Sequence, residues 1–151
     1  MTMRFRLALA AMLLGLSGMS AHAAPAAFNL AQYRGKVVYL DFWASWCGPC
    51  KQAFPFMAQL SRRYRRADVV VITVNQDRQR AAGEAFLRQV QSTLPVVWDG
   101  AGSVAKTWAI NELPATLVFD RKGKLRYRHQ GFGAGDIAAY EAQIAALVKE
   151  H

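Results

Sequence analysis

The chain carries two cysteines, and they stand three apart in Trp46-Cys47-Gly48-Pro49-Cys50-Lys51. They follow an apolar run, Val37-Val38-Tyr39-Leu40-Asp41-Phe42-Trp43-Ala44. A C-x-x-C pair between a predicted strand and a predicted helix has the layout of a dithiol redox site. Such a site needs its first sulfur exposed and held as a thiolate. The second must lie close enough to displace it from a mixed disulfide. Unpaired amides at a helix N-terminus, with the field of the helix dipole, stabilise that thiolate. Pro49 suits the first helical turn, where its missing N–H costs nothing.

Other uses of two cysteines fit less well. A structural disulfide closing so short a loop gains little chain entropy. Zinc wants four ligands, and the remaining candidates, His22, His129 and His151, are not at ligand spacing. A c-type haem attachment needs histidine directly after the second cysteine, where Lys51 stands.

Around the pair, Asp41 is the one carboxylate in an apolar strand, and alternation puts it on the face of Val37 and Tyr39. An unpaired buried carboxylate is costly to ionise, so its pKa should rise, which marks a functional candidate. The competing reading is an aspartate at a strand end that reaches solvent. Trp43 reads as core, and Trp46 as a semi-exposed platform for a partner. Lys51 either favours the thiolate or is simply solvated. His129, in the last strand, could serve as a group titrating near neutral pH, but the favoured reading is a surface histidine on an edge strand.

The elements that must position these residues alternate along the chain. Phe28-Asn29-Leu30 predicts a short edge strand, and Val37–Phe42 a strand buried on both faces. A helix is expected from Gly48 to Tyr64, with Ala53-Met57 and Phe56-Leu60-Tyr64 inward and Pro55 kinking or interrupting it. Asp68–Asn75 predicts a second buried strand. Arg78–Gln91 predicts a helix capped by Asp77, with Ala82, Ala85, Phe86, Gln89 and Val90 inward. A short strand at Leu94–Trp98 and a short helix at Ser103–Trp108 follow. Pro114 opens a strand at Ala115–Phe119, and Asp120–Gly123 turns it into Lys124–His129. The last helix spans Asp136–Lys149, with Asp136 as N-cap. This order implies an α/β domain: a mixed central sheet with helices on both faces, parallel where helices link the strands and antiparallel across the hairpin.

The first residues read as an export signal. Arg4 and Arg6 precede an apolar stretch, Leu7 to Leu16, and Ala21-His22-Ala23 forms a cleavage site before Ala24. The stretch is shorter than the roughly 20 residues of a spanning helix. The alternative is an uncleaved membrane anchor. Residues 1–23 are therefore assigned as signal peptide and 24–151 as one domain, with the periplasm as compartment. Two cysteines in an oxidising compartment point to a working pair rather than a staple. Removing Arg4 and Arg6 lowers the net charge from +9 to +7. The densest basic cluster, Arg62-Arg63 with Arg65-Arg66, is placed to complement the C-terminal end of the helix dipole. Nucleic acid is excluded as a partner by compartment and by lack of a binding motif.

Phe42-Trp43-Ala44-Ser45-Trp46-Cys47-Gly48-Pro49-Cys50-Lys51, with Leu113-Pro114, closely resembles the thioredoxin superfamily across the whole predicted mature chain. Two features resemble its exported TlpA/ResA-type thiol–disulfide oxidoreductases: the lead-in Phe28-Asn29-Leu30 to Val38, and the 39-residue interval from Asn75 to Pro114. That interval implies an inserted helix–strand unit before the proline. The resemblance implies a thioredoxin-like fold, Cys47 as nucleophile and Cys50 as resolving thiol. Pro114 would follow a cis bond and lie against the disulfide, and Leu113 would pair its backbone with the partner. Asp41 would accept the Cys50 proton. Trp46, Gly48 and Pro49 would line the partner-binding surface.

The reading is a protein disulfide reductase acting on exported disulfide-containing proteins, such as apocytochrome c or copper- and oxidase-assembly factors. It would be a monomer without cofactor or metal, re-reduced by a membrane donor of the DsbD/CcdA type. Gly48-Pro49 favours this direction over a disulfide-introducing oxidase. A peroxidase would instead pair one cysteine with nearby Thr and Arg. A copper-binding module would use Cys47 and Cys50 as soft ligands.

Overall fold

The computed structural model describes residues 28–64 and 68–150. The predicted signal peptide, Arg65-Arg66 and His151 lie outside these residues. No helix among the described residues is long and apolar enough to cross a membrane.

Five strands form one mixed sheet. They are β1 (Val37–Trp43), β2 (Val69–Asn75), β3 (Val96–Trp98), β4 (Ala115–Phe119) and β5 (Leu125–Gln130), in the spatial order β3-β2-β1-β4-β5. β1, β2 and β3 run parallel, while β4 is antiparallel to β1 and β5 to β4. Every residue of β1 is buried. Val37, Tyr39 and Trp43 point to one face, Val38, Leu40 and Phe42 to the other. A strand covered on both faces reads as a continuous apolar run, which is what the sequence shows.

The first face is covered by α1 (Gly48–Arg63), α2 (Arg80–Gln89) and α4 (Ile137–Lys149). The second is covered by α3 (Ser103–Thr107) and a 3-10 turn, Leu30–Tyr33. The sequence-expected mixed sheet with helices on both faces, including the helix–strand unit inserted before Pro114, is the fold observed.

Several local expectations are corrected. Phe28–Leu30 is not a strand: Asn29 Oδ1 accepts the Ala31 N–H at 3.0 Å and starts the 3-10 turn. Phe28 stacks on Tyr33, with ring centroids 6.0 Å apart. Pro55 does not interrupt α1, because the proline is exposed and water can serve the carbonyl it leaves unpaired. α2 starts at Arg80, and Asp77 makes no cap to it. The inward residues of α2 are Gly83 and Phe86, whereas Ala85 and Gln89 are exposed. Asp136 stands at the N-cap of α4, but its Oδ2 accepts the Gly133 N–H at 2.9 Å instead of a helix amide.

Phe86 is the reason α2 lies where it does. Its ring packs 4.9 Å from Trp43 and 5.3 Å from Phe54 of α1, building an aromatic cluster under the start of α1. Burying such a side chain contributes about 1.5–3 kcal/mol. Gly83 lets α2 come this close, since a Cβ there would stand 2.7 Å from Trp98 and 2.8 Å from the Asn75 amide. Gly83→Ala is therefore expected to destabilise the domain by about 1–3 kcal/mol despite alanine's better helix propensity. Urea unfolding of the two proteins measures this; an unchanged midpoint would show that α2 can move aside.

Candidate redox site

Cys47 occupies the N-cap of α1, with Gly48 and Pro49 opening the helix. It is joined to Cys50 by a disulfide, with Cα atoms 5.3 Å apart. The Cys50 N–H points at the Cys47 sulfur at 3.3 Å. A sulfur at a helix N-terminus faces free amides and the positive end of the helix dipole, a setting that favours a thiolate over a thiol. Cys50 is fully buried, whereas Cys47 keeps 5% of its surface. The expected exposed sulfur is thus exposed only relative to its partner.

The loop that presents Cys47 is held from β2. Asp77 Oδ2 accepts the Ser45 N–H at 2.9 Å, and Oδ1 accepts the Ser45 hydroxyl at 2.8 Å. Asn75 Nδ2 donates to Asp77 Oδ2 at 2.7 Å, and the Gln76 N–H donates to Trp43 O at 2.8 Å. Sequence reasoning assigned Asp77 to a helix cap and missed this clamp. The signal was present in the spacing of Asn75 and Asp77 at the end of a buried strand. Without the sheet register, nothing directed it toward Ser45.

The Leu113–Pro114 peptide is cis, Pro114 is buried, and Leu113 packs against the cluster that contains both cysteines. Trp46 is 73% exposed, the one large apolar side chain so placed among the described residues. It shares a groove of about 540 Å³ with Leu113, Ile110, Gln76 and Glu112. Gly48 and Pro49 are exposed beside it. Trp43 is fully buried.

Asp41 does not reach solvent; it is 1% exposed. Burial raises its pKa from 3.8 to about 7, opposed by a hydrogen bond from the Thr116 hydroxyl to Oδ2 at 2.7 Å. Its other oxygen, Oδ1, has no partner among the described residues. Tyr39, whose pKa is raised by burial and then by Asp41, places its hydroxyl 3.4 Å from Thr116 Oγ1. Lys51 is exposed. His129 is half-buried on the edge strand rather than fully exposed: it stacks 4.0 Å from Tyr140 and meets Gln143 at 2.9 Å, and burial lowers its pKa. No cluster of metal-ligating side chains is found among the described residues.

Comparison with known proteins gives a consistent picture. The Redoxin family model matches residues 16–144. Thiol-disulfide oxidoreductase ResA of Geobacillus thermodenitrificans is 34% identical over 98 residues, covering 65% of this chain and 56% of that protein. ResA of Bacillus subtilis is 32% identical over 97 residues, covering 64% and 54%. The chain thus spans little more than half the length of these relatives. A Chlorobium tepidum structure, provisionally assigned as a thiol:disulfide interchange protein DsbE, superposes with TM-score 0.76 at 39% identity, covering 79% of this chain and 84% of that one. The exposed lipoprotein thioredoxin Etrx1 of Streptococcus pneumoniae gives 0.68 at 29%, covering 80% and 91%.

The raised pKa of Asp41 carries a stability consequence. An acid whose folded pKa lies above its unfolded value holds its proton longer when folded, so stability is fully present below pH 4 and falls between about pH 4 and 7. Asp41→Asn should abolish that fall and leave the protein more stable above pH 7, by on the order of 4 kcal/mol. Urea unfolding at pH 5 and pH 8 tests the sign; equal destabilisation at both would show that the carboxylate is solvated or paired.

Proposed function

Because the chain belongs to the Redoxin family and is of the ResA/TlpA type within the thioredoxin superfamily, we propose that it is an exported thiol–disulfide oxidoreductase that reduces disulfides of other exported proteins. The observation that carries this reading is the disulfide seated on the N-terminus of α1, with the Cys47 sulfur capping the helix and Cys50 the more deeply buried of the two.

The reduced Cys47 thiolate attacks one sulfur of a partner disulfide, and the partner's other sulfur leaves with the electron pair. Cys50 then gives its proton to Asp41, directly or across one water, and attacks the Cys47 sulfur. The partner leaves with both sulfurs reduced, and Cys47 and Cys50 are left oxidised. The cis Leu113–Pro114 turn is the assigned docking point, with Pro114 against the pair and the Leu113 backbone receiving the extended partner. This reading is supported by Leu113 packing on the cluster that holds both cysteines. Trp46, Gly48 and Pro49 form the floor on which that partner rests. The cycle calls for an external two-electron donor; a membrane protein of the DsbD/CcdA type fits, with residues 1–23 directing the chain to the periplasm. Cytochrome c or oxidase-assembly cysteines are the substrates this reading favours, and the working species is a monomer.

Direction follows from the pair's reduction potential, measured in glutathione buffers. A value near −270 mV or below supports a reductase; a value near −120 mV makes the protein an oxidant and overturns the proposal. Cys50→Ser should accumulate the mixed disulfide on Cys47, visible by mass spectrometry, and Cys47→Ser should form none. Asp41→Asn should slow resolution of the mixed disulfide by about 10²-fold and remove a rise in rate with pH through about 7. Partner attack by Cys47 should be left intact, and loss of both steps together would count against this assignment.

A further inference from the structure

Asp41 is buried without a cation beside it among the described residues. Its neighbour in register on β2 is Thr73, and on β4 Thr116. Thr116 is in turn opposite His129 on β5. The four residues form a polar row across the face of the sheet that α1, α2 and α4 cover with apolar side chains. Thr73 is committed elsewhere, donating its hydroxyl to Pro95 O at 3.1 Å. From α1 the redox pair is the ionisable chemistry on this side, and from α4 it is Tyr140, whose pKa is raised by burial and by Asp136 and Asp41. On its own strand Asp41 has Tyr39. His129 stands beyond Thr116 and is held by Gln143 and Tyr140. The hydrogen bond to Asp41 therefore comes from Thr116 alone among the described residues.

We propose that Thr116 is a positioning residue for the resolving step: its hydroxyl pins Oδ2 of Asp41 so that Oδ1 is the oxygen that takes the Cys50 proton. This rests on the function proposed above. The geometry makes the division of labour plain. Thr116 Oγ1 is 2.7 Å from Oδ2 and has one hydrogen to give. Spending it on Oδ2 leaves Thr116 only as acceptor toward Tyr39, so the Tyr39 hydroxyl donates across the 3.4 Å contact. The two hydroxyls thus run in one direction, Tyr39 to Thr116 to Asp41. Oδ1 is left without a partner among the described residues in a buried site, where an unpaired acceptor is costly and gains most from a proton.

The arrangement also works without rearrangement. When the Cys50 S–H bond breaks, the proton goes to Oδ1, and the sulfur keeps the electron pair that forms the new bond to the Cys47 sulfur. The leaving sulfur of the partner takes the pair of the bond that breaks. Oδ2, now carbonyl-like, still accepts from Thr116, so no hydroxyl has to turn during the step. The same bond favours the carboxylate over the acid. It therefore holds the base in a range where a proton can be both taken and returned near neutral pH.

The test is stopped-flow reaction of the full reduced protein with dithiobis(nitrobenzoate), in which Cys47 releases one thionitrobenzoate and Cys50 then releases the second. The second phase is the resolving step, followed against pH in wild type, Thr116→Val, Thr116→Ser and Asp41→Asn. Thr116→Val should move the inflection that Asp41→Asn removes upward by about one pH unit, with Thr116→Ser restoring it. The first phase should be unchanged, and adding Thr116→Val to Asp41→Asn should slow the second phase no further. If valine prevents folding, Thr116→Ala deletes the same donor with less steric demand and is read in the same way. A Thr116→Val inflection at the wild-type pH overturns the role of Thr116 while leaving Asp41 as the base. An inflection that persists in Asp41→Asn shows instead that Asp41 is not the base, and removes the ground for both.

Discussion

A sulfur serving as a helix cap is the constraint on which the rest of this structure turns. Helices need an acceptor at their first free amides, and serine, threonine or aspartate ordinarily supplies it. Here the acceptor is Cys47, reached by the Cys50 N–H. The cap of α1 is therefore made by the sulfur that the proposed mechanism uses as nucleophile, and that sulfur cannot drift from the field of the helix without uncapping α1. Everything around it serves to hold that end still: the aromatic packing of Trp43, Phe54 and Phe86 below, and the Asp77–Ser45 clamp from the side.

How far the site could be read from sequence depended on how local its parts are. Cys47, Gly48, Pro49 and Cys50 are adjacent, so strand, cap and helix could be placed from neighbouring residues. Ala115–Phe119 was legible to the residue because Pro114 and the Asp120–Gly123 turn bracket it. Asp41 stood out as a lone carboxylate in an apolar run, and its burial followed from the strand around it. Its partner Thr116 lies 75 residues away and meets it only through the β1–β4 register, which no local pattern encodes. A threonine inside an apolar strand is an ordinary residue until that register is known.

The errors have the same origin. Three alternating residues at Phe28–Leu30 gave too little pattern to distinguish a strand from a turn, and Asn29 decided it through its own side chain. Asp77 and Asp136 sit where caps are expected, yet each is taken by a loop amide or side chain instead. Aspartate near a helix start announces a demand for donors without saying which donors will answer. His129 looked like an edge residue because β5 is an edge strand, but α4 lays Tyr140 across it.

The two margins of the sheet are closed to other chains by different means. β3 spans only Val96–Trp98, too short to template a long pairing. β5 is longer, but its outward positions are Arg126, Arg128 and Gln130, and Arg126 is held by Asp120 and Glu150. Cationic side chains along a free edge repel a second copy of the same edge and leave little apolar surface for it to bury. Under the function proposed above the partner is an extended polypeptide, and any unpaired strand could capture the wrong one. With both margins blunted, the docking proposed at the Leu113 backbone would meet little competition from the sheet's own edges.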